Sequence, residues 1–220
     1  MSQLFIDHSS RFEQADRYFL GATVSQPPGG AAVCVIRRRQ FYEYRGHARN
    51  PIRDLKATTF EVGHIERLRS GLAYPAVIAR IGEIQRLPIY GDAIEVVINA
   101  TEVGGSFIEL CHSAGLYAEG VAITTGDTEV GGDRYVRRIP QAELVARIQT
   151  LIHDGKLSIS KHIPDADGLV RELQNFRLHR SEGGRVRFGG IRGDGVATAL
   201  AVAIWQAMNS FELIVEEFRI

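Results

Sequence analysis

The chain has 220 residues, 45% of them hydrophobic and 24% charged, enough for one well-buried core and unlike a disordered or collagen-like sequence. Lysine plus arginine equals aspartate plus glutamate at 26 each, a formal net charge of zero. That balance argues against a protein that coats nucleic acid by overall positive charge, so any DNA contact must come from a local patch.

The N-terminal MSQLFIDHSSRFEQ lacks the basic-then-apolar order of a signal peptide, and residues 1–16 read as an extension. A domain is expected over 17–210, with 211–220 as a tail. A first element over Arg17–Gly21 leads into the turn Ser25-Gln26-Pro27-Pro28-Gly29-Gly30. Ala31–Arg39 (AAVCVIRRR) is β-branched strand sequence. With the FYEYRG that follows, it suggests two antiparallel strands, the three arginines marking an exposed strand end. Phe60–Glu66 predicts a further strand. From Tyr74, YPAVIARIGEIQRL sets Val77, Ile78, Ile81, Ile84 and Leu87 at helical spacing, with Pro75 in the first turn, where proline is tolerated.

Ala93–Asn99 is almost continuously apolar, the pattern of a strand covered on both faces. A turn over Thr101–Gly105 follows, Ser106 opens a helix that Gly115 closes, and Tyr117–Ile123 completes a βαβ unit with a right-handed crossover. Pro140 begins a helix with Leu144, Val145, Ile148, Leu151 and Ile152 on one face. Gly155 ends it, and Lys156–Ser160 is a short strand. Ala166–Asn175 predicts a helix with Leu169, Val170 and Leu173 inward, and Phe176–Phe188 a hairpin around Ser181-Glu182-Gly183-Gly184. Val196–Met208 is apolar almost all round, hence a buried helix, while the tail FELIVEEFRI suits a strand or a docking segment.

This order, a meander and then alternating helices and strands, fits an α/β fold with a ribonuclease-H-like mixed sheet and helices on both faces, among other α/β folds. The apolar run Val196–Trp205 is too short to span a bilayer. Cys34 and Cys111 sit in apolar contexts without a CxxC and read as buried free thiols of a soluble, intracellular protein. The glycine pairs at Gly29, Gly104, Gly131 and Gly183 are turns, since no GxxxxGK[ST] motif follows; the sequence shows no Walker-A ATPase motif. His153, His162 and His179 are scattered and form no triad with Ser and Asp. Arg37, Arg38 and Arg39, with Arg185, Arg187 and Arg192, would suit a DNA backbone, against the default of solvated strand ends.

Four segments are more specific than the pattern: HIERLRSGLAYPAVIARIGEI, VVINATEVGGSFIELCHSAGL, YVRRIPQAELVARIQTLIHDGKL and GDGVATALAVAIW, in that order. Together they resemble the nuclease domain of phage and prophage terminase large subunits, from about Arg17 to Met208. The resemblance implies metal-dependent phosphodiester hydrolysis, with carboxylates on the first strand, a central strand and the start of the last helix holding two Mg²⁺ or Mn²⁺ ions. At the matching positions this chain has Thr23 in Gly21-Ala22-Thr23, Asn99 before Ala100-Thr101-Glu102-Val103-Gly104, and Asp194 before Gly195. Of these three catalytic positions only Asp194 is acidic.

Asp194 is therefore the expected metal ligand, set against a reading as helix N-cap. Glu102 is a candidate substitute ligand, set against an exposed loop glutamate. Three functions follow. The first is a catalytically impaired terminase-nuclease-like protein binding double-stranded DNA or a packaging partner, such as a separate ATPase or phage protein, in the bacterial cytoplasm. The second is a structural or assembly protein using the fold and its tail as a platform. The third is an endonuclease with a rearranged site drawing on Glu102, Asp92 or Asp127.

Overall fold

The computed structural model describes residues 11–26, 30–45, 52–91, 94–125, 134–175, 177–180, 186–189 and 195–210, with backbone alone for Arg11, 177–180 and 186–189. Three long strands, β1 (Arg11–Val24), β2 (Ala31–Arg45) and β3 (Ile52–Leu68), form an antiparallel meander. Two parallel extensions complete the sheet. On one side β4 (Glu95–Asn99) pairs with β1, then β5 (Glu119–Thr124) and β6 (Val136–Pro140) follow; on the other β7 (Leu157–Ile159) pairs with β3. The order is β6-β5-β4-β1-β2-β3-β7, a seven-stranded mixed sheet. A separate hairpin, β8 (Arg177–Arg180) with β9 (Val186–Gly189), lies where the glycine-rich turn predicts it.

Helices α1 (Tyr74–Gln85) and α2 (Gly104–Ser113) cover one face, and α3 (Gln141–His153), α4 (Ala166–Asn175) and α5 (Val196–Asn209) the other. Periodicity placed these helices well. Val77, Ile78, Ile81 and Ile84 are buried in α1, and Leu144, Val145, Ile148 and Leu151 in α3. Leu87, Ile152 and, on α4, Val170 at 39% exposed depart from the pattern. Leu87 follows the end of α1 and is 41% exposed, and Ile152, on the rim of α3, is 50% exposed. Helix α2 starts at Gly104, with φ of 69°, not at Ser106, whose hydroxyl turns back to the Val103 carbonyl. Among the described residues no helix is long and apolar enough to cross a membrane.

The strands depart further from expectation. FYEYR does not form a new strand; it continues β2, and β1 and β3 run beyond their predicted ends because their outer, more polar halves each pair with the outer half of β2. The arginine triplet accordingly lies within a strand. Arg38 is 5% exposed, and its guanidinium donates to the Ala207 carbonyl and, at 3.0 Å, to that of Ser210, closing the end of α5. Arg37 pairs with Glu61 and Asp16, and Arg39 with Asp16 at 3.0 Å. The triplet serves the fold.

Helix α5 is apolar all round because it is enclosed, with β1 and β2 on one side and α3 and α4 on the other. Small residues make this possible. A methyl group on Gly21 would collide with the Ala199 carbonyl oxygen and lie 2.9 Å from the Ala203 Cβ. Gly21 meets Ala199 and Ala203, while Arg38, opposite Arg17 on β1, meets Ala207, so α5 runs opposite to β1 and begins over its C-terminal end. Cys34 and Cys111 are free and fully buried, and burial pushes the Cys111 thiol up to about 12 and raises that of Cys34 as well.

Candidate functional site

The parallel pairing of β1 and β4 sets Thr23 opposite Asn99, the last residue of β4. The antiparallel pairings continue this row, Thr23 opposite Ala32 on β2 and Ala32 opposite Arg67 on β3. Side chains alternate along a strand, and Phe19, Val97, Ala32 and Ile65 belong to the core around α5. Thr23, Asn99 and Arg67 therefore face α5, near its first turn. Two of the three predicted catalytic positions are thus neighbours at the ends of parallel strands, where open α/β sheets place ligands.

Asn99 is 3% exposed, and its Oδ1 accepts hydrogen bonds from the Thr101 amide at 3.1 Å and the Thr101 hydroxyl at 2.5 Å. The same hydroxyl accepts from the Ile123 amide at 2.8 Å, so Asn99 ties the turn after β4 to β5. Thr23 is fully buried, and its Oγ1 has no hydrogen-bond partner among the described residues. A buried hydroxyl left unpaired is unfavourable, so Thr23→Val is expected to leave stability unchanged or raise it by up to about 1 kcal/mol. A denaturant midpoint lowered in the valine variant would show that the hydroxyl has a partner.

Glu102 is exposed within this turn. Its carboxylate accepts from the Gln26 amide at 3.4 Å, and its carbonyl from Gln26 Nε2 at 2.8 Å, so it links the turns after β4 and β1. Asp194, Asp92 and Asp127 lie outside the described residues, as do Arg185 and Arg192 and the side chain of Arg187. The N-cap position of α5 belongs to Gly195, with extended φ and ψ of −80° and 140° and no capping side chain, rather than to Asp194.

A carboxylate from another helix serves this end of α5. Glu172, on α4, accepts from the Ala197 amide at 2.8 Å through Oε2, and its Oε1 takes Arg67 Nη2 at 2.5 Å. Arg67 Nε reaches Asp165 at 2.6 Å. Burial disfavours the Arg67 guanidinium charge, but the bonds to Glu172 and Asp165 outweigh it and the pKa is raised. No spacing in the sequence announces this group, because its members come from β3, the loop before α4, and α4. Glu172→Ala removes an anion from a helix N-terminus and is expected to lose about 1–2 kcal/mol, with Glu172→Gln retaining part of it. Equal unfolding midpoints for wild type and the alanine variant would count against the cap.

The chain is similar to the crystal structure of the large terminase nuclease from the thermophilic phage G20c, with 17% sequence identity and a TM-score of 0.52, over 87% of this chain and 82% of that one. No family model and no curated protein matches it. At this identity the likeness shows the fold, a terminase-nuclease-like, ribonuclease-H-like mixed sheet. Divalent ions of the kind that fold implies do not fit the described donors. Mg²⁺ and Mn²⁺ favour charged, hard oxygens, whereas Thr23 and Asn99 are neutral and the Glu172 oxygens are engaged. Among the described residues no group of three or more His, Cys, Asp or Glu could hold a metal ion.

Proposed function

We propose that this chain is a terminase-nuclease-like protein of phage or prophage origin that binds double-stranded DNA or a packaging partner without cutting DNA efficiently. The observation that carries this reading is the buried, neutral pair Thr23–Asn99, side by side where the cleaving members of the fold are expected to hold acids. With Asp194 as the remaining acid at the three matched positions, the strand ends supply too little negative charge for a two-ion site. On this reading the protein works in the bacterial host cytoplasm with a packaging ATPase or another phage protein. Calorimetric titration with Mn²⁺, using Asp194→Ala as control, together with a supercoiled-plasmid assay, tests it. The expected result is no tight binding and no nicking above the control, with retention of duplex DNA in a gel shift. Asp194-dependent Mn²⁺ binding accompanied by nicking would reinstate a working endonuclease.

A second reading, an assembly platform, is favoured by exposed apolar side chains on the outer halves of the meander: Phe12 at 72%, Ile52 at 63% and Leu55 at 51%. A sedimentation profile that stays monomeric at high concentration would remove it.

A further inference from the structure

An apolar groove of about 430 Å³ opens at the edge of the sheet, between Ile148 and Ile152 of α3, Leu157 and Ile159 of β7, and Val170 and Leu173 of α4. Its floor is continuous with the core around α5, against which Leu157, Ile159 and Leu173 pack. Beside it, β7 ends the sheet, with a partner on its β3 side alone among the described residues. Among the described residues the groove is therefore an open apolar position at the rim of a core, next to a strand edge. Such a place suits an extended apolar segment better than a polar ligand.

We propose that residues 211–220 of the same chain, FELIVEEFRI, occupy this groove. Three observations select that occupant. The first is where α5 stops: Asn209 accepts from Arg147 of α3 at 3.3 Å, and Arg147 precedes the groove residue Ile148. The second is reach. The Ser210 carbonyl is held by Arg38 on β2, and β7 lies two strands further along the sheet, about 10 Å at ordinary strand spacing. A ten-residue extended segment spans about 33 Å, so the groove is within reach with residues to spare. The third is pattern. Phe211, Leu213 and Val215 fall at alternate positions on one side of an extended chain, with Glu212, Ile214 and Glu216 on the other, which gives one wholly apolar side to an apolar floor. The proposal does not depend on the chemistry at the strand ends.

The test uses the full chain. Cysteine is introduced by Ile152→Cys together with Phe211→Cys, Leu213→Cys or Val215→Cys in turn, and the proteins are oxidised mildly. The two native cysteines are fully buried and leave a low background. At least one pair should form an intramolecular disulfide in most molecules, while Ile89→Cys, 72% exposed and on the opposite sheet face, should form none. Alongside this, Ile152→Asp and Leu213→Asp should each lower Tm by several degrees, and the double variant by little more than the larger single effect. No crosslink above the Ile89 control with any of the three pairs overturns the proposal, as do fully additive or absent Tm losses. A crosslink that joins two chains assigns the groove to a second copy and overturns it equally.

Discussion

Replacing Thr23 and Asn99 with aspartate in one chain should produce a protein that is less stable alone and responds strongly to Mn²⁺. The two positions face each other on parallel strands and are almost fully buried, so two carboxylates there would repel in a poorly solvated site. A loss of about 2–4 kcal/mol without metal is expected, of the size seen when buried charge lacks compensation. A divalent ion bridging the new acids should restore about 2.7 kcal/mol at a hundred-fold excess over its Kd. Adding Asp194→Ala should weaken that response at least ten-fold if Asp194 completes the site. The readout is Tm with and without millimolar Mn²⁺, followed by plasmid nicking. A variant that folds yet melts identically with and without Mn²⁺ would show that the strand ends are not a converted metal site.

The second large effect concerns Gly21→Ala, one methyl group. Its Cβ would meet the Ala199 carbonyl, which is helix backbone and cannot swing aside, so β1 and α5 would have to separate. Overpacking of this kind costs about 3 kcal/mol or more when rigid backbone must yield. Gly63→Ala is the matched control, since its nearest neighbour is the Val35 carbonyl at 3.8 Å and a strand glycine generally loses stability to its backbone freedom. The control is expected to be neutral or slightly stabilising. Equal denaturant midpoints for the two variants would contradict the close approach of α5. Because Thr23 lies two residues beyond Gly21 on the same face, Gly21→Ala should also disturb the strand-end row.

The helices were legible because their apolar spacing and punctuation agreed: Pro75 and Pro140 near the starts of α1 and α3, Gly115 and Gly155 in left-handed conformation after α2 and α3. The strands were less so. Val136–Pro140 was missed as β6 because VRRIP has two adjacent arginines in place of alternation, as an edge strand tolerates. The outer halves of β1, β2 and β3 carry charges that satisfy one another across the ladder, such as Glu13 with Arg53 and Glu43 with Lys56, a pattern visible only once the register is known. At the strand ends, Asn99 was singled out by its flanking sequence and Thr23 by the Gly21-Ala22-Thr23 run alone, and the parallel register sets the two opposite each other. Glu172 and Arg67 were not, since 105 residues separate them and each alone resembles a surface charge.

The enclosure of α5 has a consequence for how the chain is made. Residues 25–195 separate β1 from the helix that fills the space against it, so a growing chain exposes Phe19, Ile36 and Val62 until the last described helix emerges. At ordinary translation rates of about 5–20 residues per second, that interval lasts roughly 10–35 s. During it the long meander can pair, yet one face of the sheet stays uncovered and open to chaperones or to other nascent chains. Final folding is thus timed by arrival of an alanine-rich segment, and a premature stop before Val196 would release a sticky, half-covered sheet.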